Sequence, residues 1–362
     1  MSDLTKAREQ INDIDRQMAE LFSKRMDAVK QVAEYKKNNG IPVEDSTREE
    51  EVIKRNAKLI TDENYRSYYI NFLRFNMGLS KQFQHRLLDG MKVAYSGVEG
   101  AFANIVSERV FPDADSVPYP NFKAAYNAVV AGECDCALLP IENSHNGDVD
   151  KVLDLAFFGS LYINGIYDAE IVQNLLAVRG ATKESIKTVI SHPQALGQCA
   201  AFIERCGYRT EEAVNTAVAA KAVADSGRTD IAAIGSVEAA EKFGLVNLEG
   251  HINESSQNAT RFAVFSRAQR AASDNDNQFI MLFTVKNQAG SLGRAISVIG
   301  EHGFNLRALK SRPTKELMWE YYFYAEGEGN IGSAQGKQML KSLKKCCSHL
   351  KVIGRFEHEI KI

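Results

Sequence analysis

The chain has 362 residues, with 44 basic and 46 acidic side chains and a formal net charge of −2. That length exceeds what one hydrophobic core usually supports, so we expect two or three domains. The balanced charge excludes a strongly basic nucleic-acid-binding surface, and no run of about 18 apolar residues predicts a membrane span. We expect a soluble, cytoplasmic protein with neither a metal nor a cofactor, because its six cysteines lack the paired spacing of a zinc site.

The first 88 residues show helical periodicity only. Apolar residues recur with a seven-residue repeat from Leu4 to Tyr35 and predict one helix of about 35 residues, which would be about 50 Å long. The segment from Asn38 to Pro42 ends this helix, and two further helices are predicted after it. Because one small domain cannot cover so long a stripe, we expect it to pack against a second copy of the chain.

Arg25 interrupts this apolar stripe at a position where a leucine would fit. A guanidinium in an apolar seam costs free energy unless an anion meets it there. Lys36 lies eleven residues further along, on nearly the same helical face. The two cations predict a site for a small, multiply charged anion. The alternative is that the arginine extends to solvent.

Polar residues also extend the apolar stripes of the next two predicted helices. These are Arg48 and Glu49 on the second helix, and Ser80 and Gln84 on the third. A capping box between Ser46 and Glu49 is an alternative explanation for Glu49. We expect the polar groups of all three helices to converge inside a helical bundle. The candidate residues of this pattern are Arg8, Arg25, Lys36, Arg48, Glu49, Ser80 and Gln84.

This block resembles the all-helical chorismate mutase family. The resemblance covers residues 1–90 and implies a domain-exchanged homodimer in which Arg8 reaches into the site of the second copy. It rests on Arg8-Glu-Gln-Ile11, Lys24-Arg25, Lys36, Asp45-x-x-Arg48-Glu49 and Ser80-x-x-x-Gln84.

The family rearranges the dianion chorismate to prephenate in a single unimolecular step. Conformational capture and electrostatics carry such a reaction, with no acid, base or cofactor. The resemblance implies that Arg25, Arg48 and the second copy's Arg8 hold the two carboxylates. It further implies that Lys36 and Gln84 donate to the ether oxygen, whereas Glu49 accepts the substrate hydroxyl.

From Lys92 onward, short β-rich runs alternate with helical stretches over about 175 residues, which is typical of an α/β domain. In open α/β sheets, the loops at strand ends hold ligands. The predicted strands are Lys92 to Tyr95, Ala137 to Leu139, Thr188 to Ser191, Ile231 to Ile234 and Phe262 to Phe265.

Three polar segments lie near these strand ends. They are Pro140-Ile-Glu142-Asn143-Ser144, Ser191-His192-Pro193-Gln194 and Asn258-Ala-Thr260-Arg261-Phe262. Taken singly, each is typical of an ordinary turn. Together, with Thr216-Ala217-x-Ala219-Ala220 and Ala233-Ile234-Gly235-Ser236, they resemble prephenate dehydratase over residues 91–267. The resemblance implies two α/β lobes around a cleft, like those of periplasmic type II binding proteins.

The family removes water and carbon dioxide from prephenate and forms phenylpyruvate. The resemblance implies that Thr260 donates a hydrogen bond or proton to the leaving hydroxyl and that Arg261 pairs with a substrate carboxylate. The implied substrate-binding residues are Asn143, Ser144, Ser191, His192, Thr216, Arg261 and Phe262.

The chain departs from the family pattern at two places. The usual Gly-Pro-x-Gly-Thr-Phe-Ser is here Gly97-Val-Glu-Gly100-Ala101-Phe102-Ala103, so two hydroxyls are missing. This form is similar to that of plant arogenate dehydratases, which makes arogenate a candidate substrate. Gln173 stands where many members have a histidine.

A polar stretch, Ala268 to Asn277, predicts a linker. Residues 278–362 then predict a β-α-β-β-α-β order, an α+β ferredoxin-like fold. They resemble an ACT regulatory domain, which implies phenylalanine bound between two such domains as an end-product inhibitor. The alternative is that Gly290 is an ordinary turn residue and that Arg312-Pro313 marks the end of a strand. The implied effector-binding residues are Gly290, Ser291, Leu292, Ser311, Arg312 and Pro313, and Lys310 replaces a family glutamate.

The leading hypothesis is a bifunctional enzyme of phenylalanine biosynthesis that forms prephenate and then phenylpyruvate. We expect a homodimer or higher homo-oligomer with domains at 1–90, 91–267 and 278–362. One alternative is a dehydratase that prefers arogenate. Others are a catalytically impaired middle domain that acts as an amino-acid-binding regulator, and a monofunctional mutase with a structural C-terminal half.

Overall fold

The computed structural model describes residues 3–145, 147–255, 258–313 and 321–362. They form two compact units that divide at Lys92. None of the helices in these ranges combines the length and apolar composition needed to cross a membrane.

The first unit contains three helices: α1 (Asp3–Asn39), α2 (Ser46–Ala57) and α3 (Glu63–Asp89). The first helix has 37 residues, close to the predicted length, and ends before Gly40, whose φ of +64° favours glycine. Asp45 caps α2, since its carboxylate accepts a hydrogen bond from the Arg48 amide at 2.9 Å. The capping box suggested for Ser46 is therefore wrong, because Ser46 already belongs to the helix.

The apolar stripe of α1 is exposed within a single chain. Leu4, Ile11 and Leu21 are each more than half exposed, with Leu21 at 63%. A helix face that is apolar over so many turns is typical of a surface that another protein segment covers.

The second unit contains helices and strands in alternation. Its helices are α4 (Phe102–Val110), α5 (Phe122–Ala131), α6 (Asp150–Phe158), α7 (Pro193–Gln198), α8 (Ala200–Cys206), α9 (Thr216–Ser226), α10 (Val237–Phe243), α11 (Ser291–Glu301) and α12 (Ala334–Leu343). Its strands are β1 (Lys92–Ser96), β2 (Asp115–Tyr119), β3 (Cys136–Asn143), β4 (Gly147–Asp148), β5 (Tyr162–Glu170), β6 (Asn174–Ala177), β7 (Thr188–Ser191), β8 (Arg209–Glu212), β9 (Ile231–Gly235), β10 (Val246–Glu249), β11 (Ala259–Ser266), β12 (Gln278–Thr284), β13 (Asn305–Pro313), β14 (Tyr321–Glu328), β15 (His349–Phe356) and β16 (Ile360–Lys361).

These strands form two sheets. The larger has the order β13-β14-β12-β15-β5-β11-β3-β1-β2, with β16 beside β5 and β4 beside β3. The smaller has the order β10-β6-β9-β7-β8. Separate apolar cores lie behind the two sheets, which agrees with the expected two lobes. Each of the five predicted strands falls within an observed one.

The C-terminal block, residues 278–362, has the predicted element order but shares the larger sheet. Strand β15 lies parallel to β5, with Gly354 opposite Ile163. A Cβ atom at Gly354 would lie 3.0 Å from the Ile163 carbonyl oxygen, so glycine permits this approach. Ile280 and Tyr324 of the block join the same buried cluster as Ile163. The linker composition predicted a separate domain, whereas the block is continuous with the preceding lobe.

Candidate active sites

A cavity of about 250 Å³ lies between the three helices of the first unit. Seven of the eight predicted residues line it: Arg25, Lys36, Asp45, Arg48, Glu49, Ser80 and Gln84. The eighth, Arg8, is not part of this lining and lies exposed on α1. The three helices therefore bring together the polar groups that interrupt their apolar faces.

Hydrogen bonds hold two of the cations in place. Arg25 Nη1 donates to Ser80 Oγ and, at 3.2 Å, to Asn76 Oδ1. Lys36 Nζ donates to the Val43 carbonyl oxygen at 2.8 Å. Burial lowers the pKa of Arg25 from its ordinary value of 12.5, but an arginine stays protonated in proteins. The site thus holds fixed positive charge within the apolar stripe of α1.

The structure adds Lys81 to this site, a residue that the sequence interpretation missed. Lys81 lines the cavity, and its ammonium lies 2.9 Å from Glu49 Oε1. The available signal was its position four residues after Met77, on the apolar stripe of α3. Four lining cations against two carboxylates leave a net charge of +2. A net charge of +2 matches the two negative charges of a dianion. The charged groups are Arg25, Lys36, Arg48 and Lys81 with Asp45 and Glu49.

Gln84 is almost fully buried, with 7% of its surface exposed. Its amide nitrogen donates to the Ser80 carbonyl oxygen at 3.3 Å, a long hydrogen bond. Its Oε1 atom has no hydrogen-bond partner among the described residues. Because a buried amide oxygen without a partner costs free energy, Gln84 is poised to interact with a polar ligand in the cavity.

The second unit holds a cavity of about 330 Å³. Strands β3 and β11 and the N-terminal ends of α4 and α9 contribute to its walls. Five of the predicted residues line it: Asn143, His192, Thr216, Thr260 and Phe262. Ala101 and Ala103, where two hydroxyls are missing, line it too.

A hydrogen bond from the neighbouring strand β3 holds the Thr260 hydroxyl. Asn143 Nδ2 donates to Thr260 Oγ1 at 2.9 Å. The orientation of the Asn143 amide is fixed because its Oδ1 accepts from the His145 amide at 3.0 Å and from Gln194 Nε2 at 3.4 Å. With a lone pair of Oγ1 occupied in this way, the Thr260 O–H can donate into the cavity.

Three predicted residues do not line this cavity. Ser191 is fully buried and donates to the Ile234 carbonyl oxygen at 2.7 Å, and Ser144 Oγ accepts from the Ala259 amide. Arg261 points to the opposite face of β11, because side chains alternate along a strand and its two neighbours line the cavity. The expected pairing of Arg261 with a substrate carboxylate is therefore corrected. Its guanidinium is bound by protein carboxylates.

Several amide side chains in the lining were not assigned a role from the sequence. They are Gln173, Gln194, Gln198 and Asn215. Gln173 donates to Gln198 Oε1 at 3.3 Å, and its own Oε1 lacks a hydrogen-bond partner within the described part of the chain. The sequence positions of Gln173 and Gln194 could have indicated that they line the cavity, since both lie in or beside the motif segments.

The described lining contains no lysine, arginine or acidic side chain. An anion there would be met by amide groups and by helix N-termini, whose free N–H groups carry partial positive charge. Helix α4 begins at the cavity with Phe102, and Ala101 before it makes no side-chain capping bond.

The residues predicted to bind an effector lie on two elements of the C-terminal block. Gly290, with φ of +79°, precedes α11, whose first residues are Ser291 and Leu292. Ser311, Arg312 and Pro313 end β13. Tyr322 of β14 pairs with Arg312 on one side and Thr284 on the other, so the two motifs lie at the same end of the sheet, separated by β14.

The cations of the second motif contact the preceding lobe. Arg312 Nε donates to Asp154 at 2.9 Å, and Arg312 also pairs with Asp150. Lys310 lies 3.4 Å from Glu142 and pairs with Asp148. In this structure both side chains are thus engaged with protein carboxylates.

Comparison with known proteins gives two family matches. The model for chorismate mutase type II matches residues 7–85, and that for prephenate dehydratase matches residues 93–270. The chain is 30% identical over 285 residues to the chloroplastic arogenate dehydratase/prephenate dehydratase 1 of Arabidopsis thaliana, covering 75% of this chain and 73% of that protein. It is 29% identical over 369 residues to the bifunctional chorismate mutase/prephenate dehydratase of Escherichia coli strain K12, covering 97% and 95%.

A solved structure also resembles part of this chain. It is the prephenate dehydratase of Arthrobacter aurescens in complex with L-Phe, with a TM-score of 0.68 and 25% sequence identity. The match covers 74% of this chain and 90% of that one.

Proposed function

We propose a two-step reaction for this chain, which belongs to the family of bifunctional chorismate mutase/prephenate dehydratases. The first unit converts chorismate to prephenate, and the second converts prephenate to phenylpyruvate. One observation supports the proposal: each family match falls on a unit with its own cavity, and each cavity is lined by most of the residues that the resemblance implies for the corresponding reaction.

In the first cavity the substrate is held in its reactive conformation by charge. Arg25 and Arg48 bind its carboxylates, and Lys36 and Gln84 donate to the ether oxygen, which gains negative charge as its bond breaks. Glu49 accepts the substrate hydroxyl, while Lys81 keeps the Glu49 carboxylate in place. The rearrangement is unimolecular, so positioning and electrostatic stabilisation together make up the protein's contribution.

A domain-exchanged homodimer completes this site. An apolar groove of about 810 Å³ between α1 and α3 is lined by Leu21, Phe22 and Phe72 and borders Arg25. The exposed stripe of α1 from a second copy suits such a groove. The second copy would also supply Arg8, which the cavity of a single chain lacks.

In the second cavity the reaction is a decarboxylating loss of water. The bond between the ring carbon and its carboxylate breaks, carbon dioxide leaves, and the electron pair enters the ring. The bond to the ring hydroxyl breaks at the same time, and the Thr260 O–H donates a hydrogen bond to the departing oxygen. That oxygen leaves as hydroxide and takes a proton from solvent to form water. Asn143 keeps the Thr260 O–H directed toward the cavity.

Arogenate is the second candidate substrate for this cavity. Ala101 and Ala103 leave the lining without two hydroxyls, and the curated Arabidopsis relative is named for both substrates. Arogenate differs from prephenate by an amine in place of the keto group, so the product would be phenylalanine itself.

We further propose that residues 278–362 are an ACT regulatory domain and that phenylalanine inhibits the dehydratase. The β-α-β-β-α-β order of the block supports this assignment, as does the L-Phe complex of the Arthrobacter aurescens relative. Gly290 to Leu292 and Ser311 to Pro313 are the proposed contacts, with one half of the site from each of two copies.

The experiment supplies the purified chain with chorismate, prephenate or arogenate separately, with and without phenylalanine. We expect prephenate from chorismate, phenylpyruvate from prephenate, and a dehydratase rate that falls when phenylalanine is added. Thr260→Val keeps the shape of the side chain and removes its hydroxyl, so it should lose dehydration and keep mutase activity. If neither prephenate nor arogenate is dehydrated by the unmodified chain, the middle lobe (residues 91–267) is a binding domain and the dehydratase proposal fails.

A further inference from the structure

Arg261 lies directly behind the cavity of the second unit. It follows Thr260 on β11 and faces away from the cavity. Its partners in the sheet are Glu142 on β3 and Asp168 on β5. Neighbours across strands on one face contact each other, and Glu142 Oε2 lies 2.6 Å from Arg261 Nη1.

The C-terminal block supplies the remaining partners of this guanidinium. Glu326 of β14 accepts from Arg261 Nη2 at 2.8 Å, and Glu359 accepts from the same nitrogen. Each of these carboxylates has a second donor, which for Glu326 is the Tyr324 hydroxyl at 2.7 Å and for Glu359 is Arg307 at 3.1 Å. The carboxylates of the block are therefore held independently of Arg261.

The strand pairing is irregular at this position. Arg261 pairs with Glu142, but the next residue, Phe262, pairs with Pro140, so Ile141 is left over. A bulge of this kind redirects the side chains beside it. The ion pair between Arg261 and Glu142 provides support at the bulge. Asn143, the residue after Glu142, donates to Thr260.

A small movement of the Arg261 side chain would give a second arrangement, in which it binds Asp168 of β5. Its Nε is 3.9 Å from Asp168 Oδ1, and both atoms are buried without a hydrogen-bond partner among the described residues. A shift of about 1 Å would close this contact to hydrogen-bond length. Arg261 thus stands between the carboxylates of the C-terminal block and a carboxylate of β5.

We propose that Arg261 is a positioning residue for Thr260 and that Glu326 and Glu359 set its place, so that the C-terminal block acts on the dehydratase through this guanidinium. The contacts run from Glu326 and Glu359 to Arg261, then to Glu142, and through the adjacent Asn143 to the Thr260 hydroxyl. The inference rests on the proposed dehydratase function of the middle lobe.

Conservative variants test this proposal, because deleting Arg261 would take away the cationic partner of the buried Glu326 and risk misfolding. In the full-length protein, Arg261→Lys and the double variant Glu326→Gln/Glu359→Gln are compared with Arg228→Lys. Arg228 is a matched control because it makes an exposed ion pair with Asp230 in the same unit. The dehydratase kcat and KM are measured, with mutase activity as an internal check of folding.

Because Arg261 does not reach the cavity, we expect kcat to fall about ten- to hundredfold in both test variants, as for a small displacement of a reacting group. The KM for prephenate and the mutase rate should stay near their original values. An unchanged kcat in both variants, or a change in KM alone, would overturn the proposal.

Hydrogen exchange separates this inference from the proposed function. The amides of residues 259–262 should exchange faster in Arg261→Lys and in the double variant than in the unmodified chain and in Arg228→Lys. An unmodified chain without dehydratase activity would refute the proposed function. Normal exchange together with a normal kcat would refute the positioning role alone.

Discussion

The side-chain amide of Asn143 donates to the hydroxyl oxygen of Thr260 across two neighbouring strands, at 2.9 Å. The two residues are 117 positions apart in the chain and lie opposite each other in the β3–β11 pairing. Because Asn143 occupies an acceptor site of the hydroxyl, it sets where the Thr260 proton points. In the proposed dehydratase site, Thr260 therefore depends on Asn143 for the orientation of its hydroxyl.

Replacing Asn143 tests that relationship. Asn143→Ala removes the donor to Thr260 Oγ1, so the hydroxyl can rotate away from the leaving group. We expect the dehydratase kcat to fall about ten- to hundredfold while the mutase rate is unchanged. Steady-state assays with prephenate and chorismate measure both. Asn247→Ala, at an exposed position on β10, is the control, and an Asn143→Ala enzyme as fast as this control would contradict the prediction.

Replacing Gln84 tests the neutral donor of the first cavity. The amide of Gln84 donates at every pH, whereas a glutamic acid at this buried position donates only when protonated. We expect Gln84→Glu to lower the mutase kcat/KM at pH 8 by about a hundredfold and to regain activity as the pH falls. The measurement is a pH–rate profile with chorismate.

Gln84→Leu is the control for that profile, because it lacks a donor at all pH values. It should stay slow across the range. Equal pH profiles for the glutamate and leucine variants would show that donation from residue 84 does not assist the reaction.

Replacing Lys81 tests the charge of the same cavity. Lys81→Met leaves the Glu49 carboxylate without its ammonium partner and reduces the net charge of the lining from +2 to +1. We expect the KM for chorismate, a dianion, to rise about tenfold. Lys54→Met removes an exposed lysine paired with Glu50 at 3.8 Å and should leave the KM unchanged. Similar KM values for the two variants would exclude a contribution of Lys81 to substrate binding.

The stability of the first unit should depend on pH through His85. Its Nε2 lies 2.8 Å from Glu44 and its Nδ1 lies 3.1 Å from Asp89. Burial lowers the pKa of His85, but the hydrogen bonds to the two carboxylates outweigh it and raise the pKa above its ordinary value of 6.5. The stabilisation is therefore fully present below pH 6.5 and is lost as the pH rises through the raised pKa of the folded state.

Hydrogen exchange at pH 6 and pH 8 measures this effect in the full chain. The amides of α2 and α3 in the unmodified protein should be better protected than those in His85→Gln at pH 6, and this difference should shrink at pH 8. An equal difference at the two pH values would contradict a role for the protonated imidazole.

Local sequence pattern was enough for the three helices and for most residues that line the first cavity. Asp45 came from the family resemblance, Lys81 was missed, and Arg8 was predicted but lies outside the lining. Residues three or four positions apart on a helix share a face. Arg25 within the apolar stripe of α1, and Ser80 and Gln84 at the end of the stripe of α3, therefore predict which groups meet. Lys81 needed the structure, because its role follows from its ion pair with Glu49, a residue on another helix.

In the middle lobe, local sequence patterns did not predict which side chains face the cavity. The motif around Thr260 predicted both Thr260 and Arg261 as substrate contacts. Which of two adjacent strand residues faces the cavity depends on how β11 pairs with β3 and β5 and on the bulge at Ile141. Those partners lie about a hundred residues away in the chain, and no local signal encodes the choice.

For the C-terminal block, local patterns predicted the order of the elements but not how the block packs. Its element order followed from the alternation of strand and helix patterns, since these are local. Its continuity with the preceding lobe depends on the close approach of Gly354 to Ile163 and on the buried carboxylates around Arg261. The sequence by itself determined the elements and most residues of the two sites. Only the tertiary structure decided that Arg261 belongs to the contact between lobe and block, because that depends on charges brought together from distant strands.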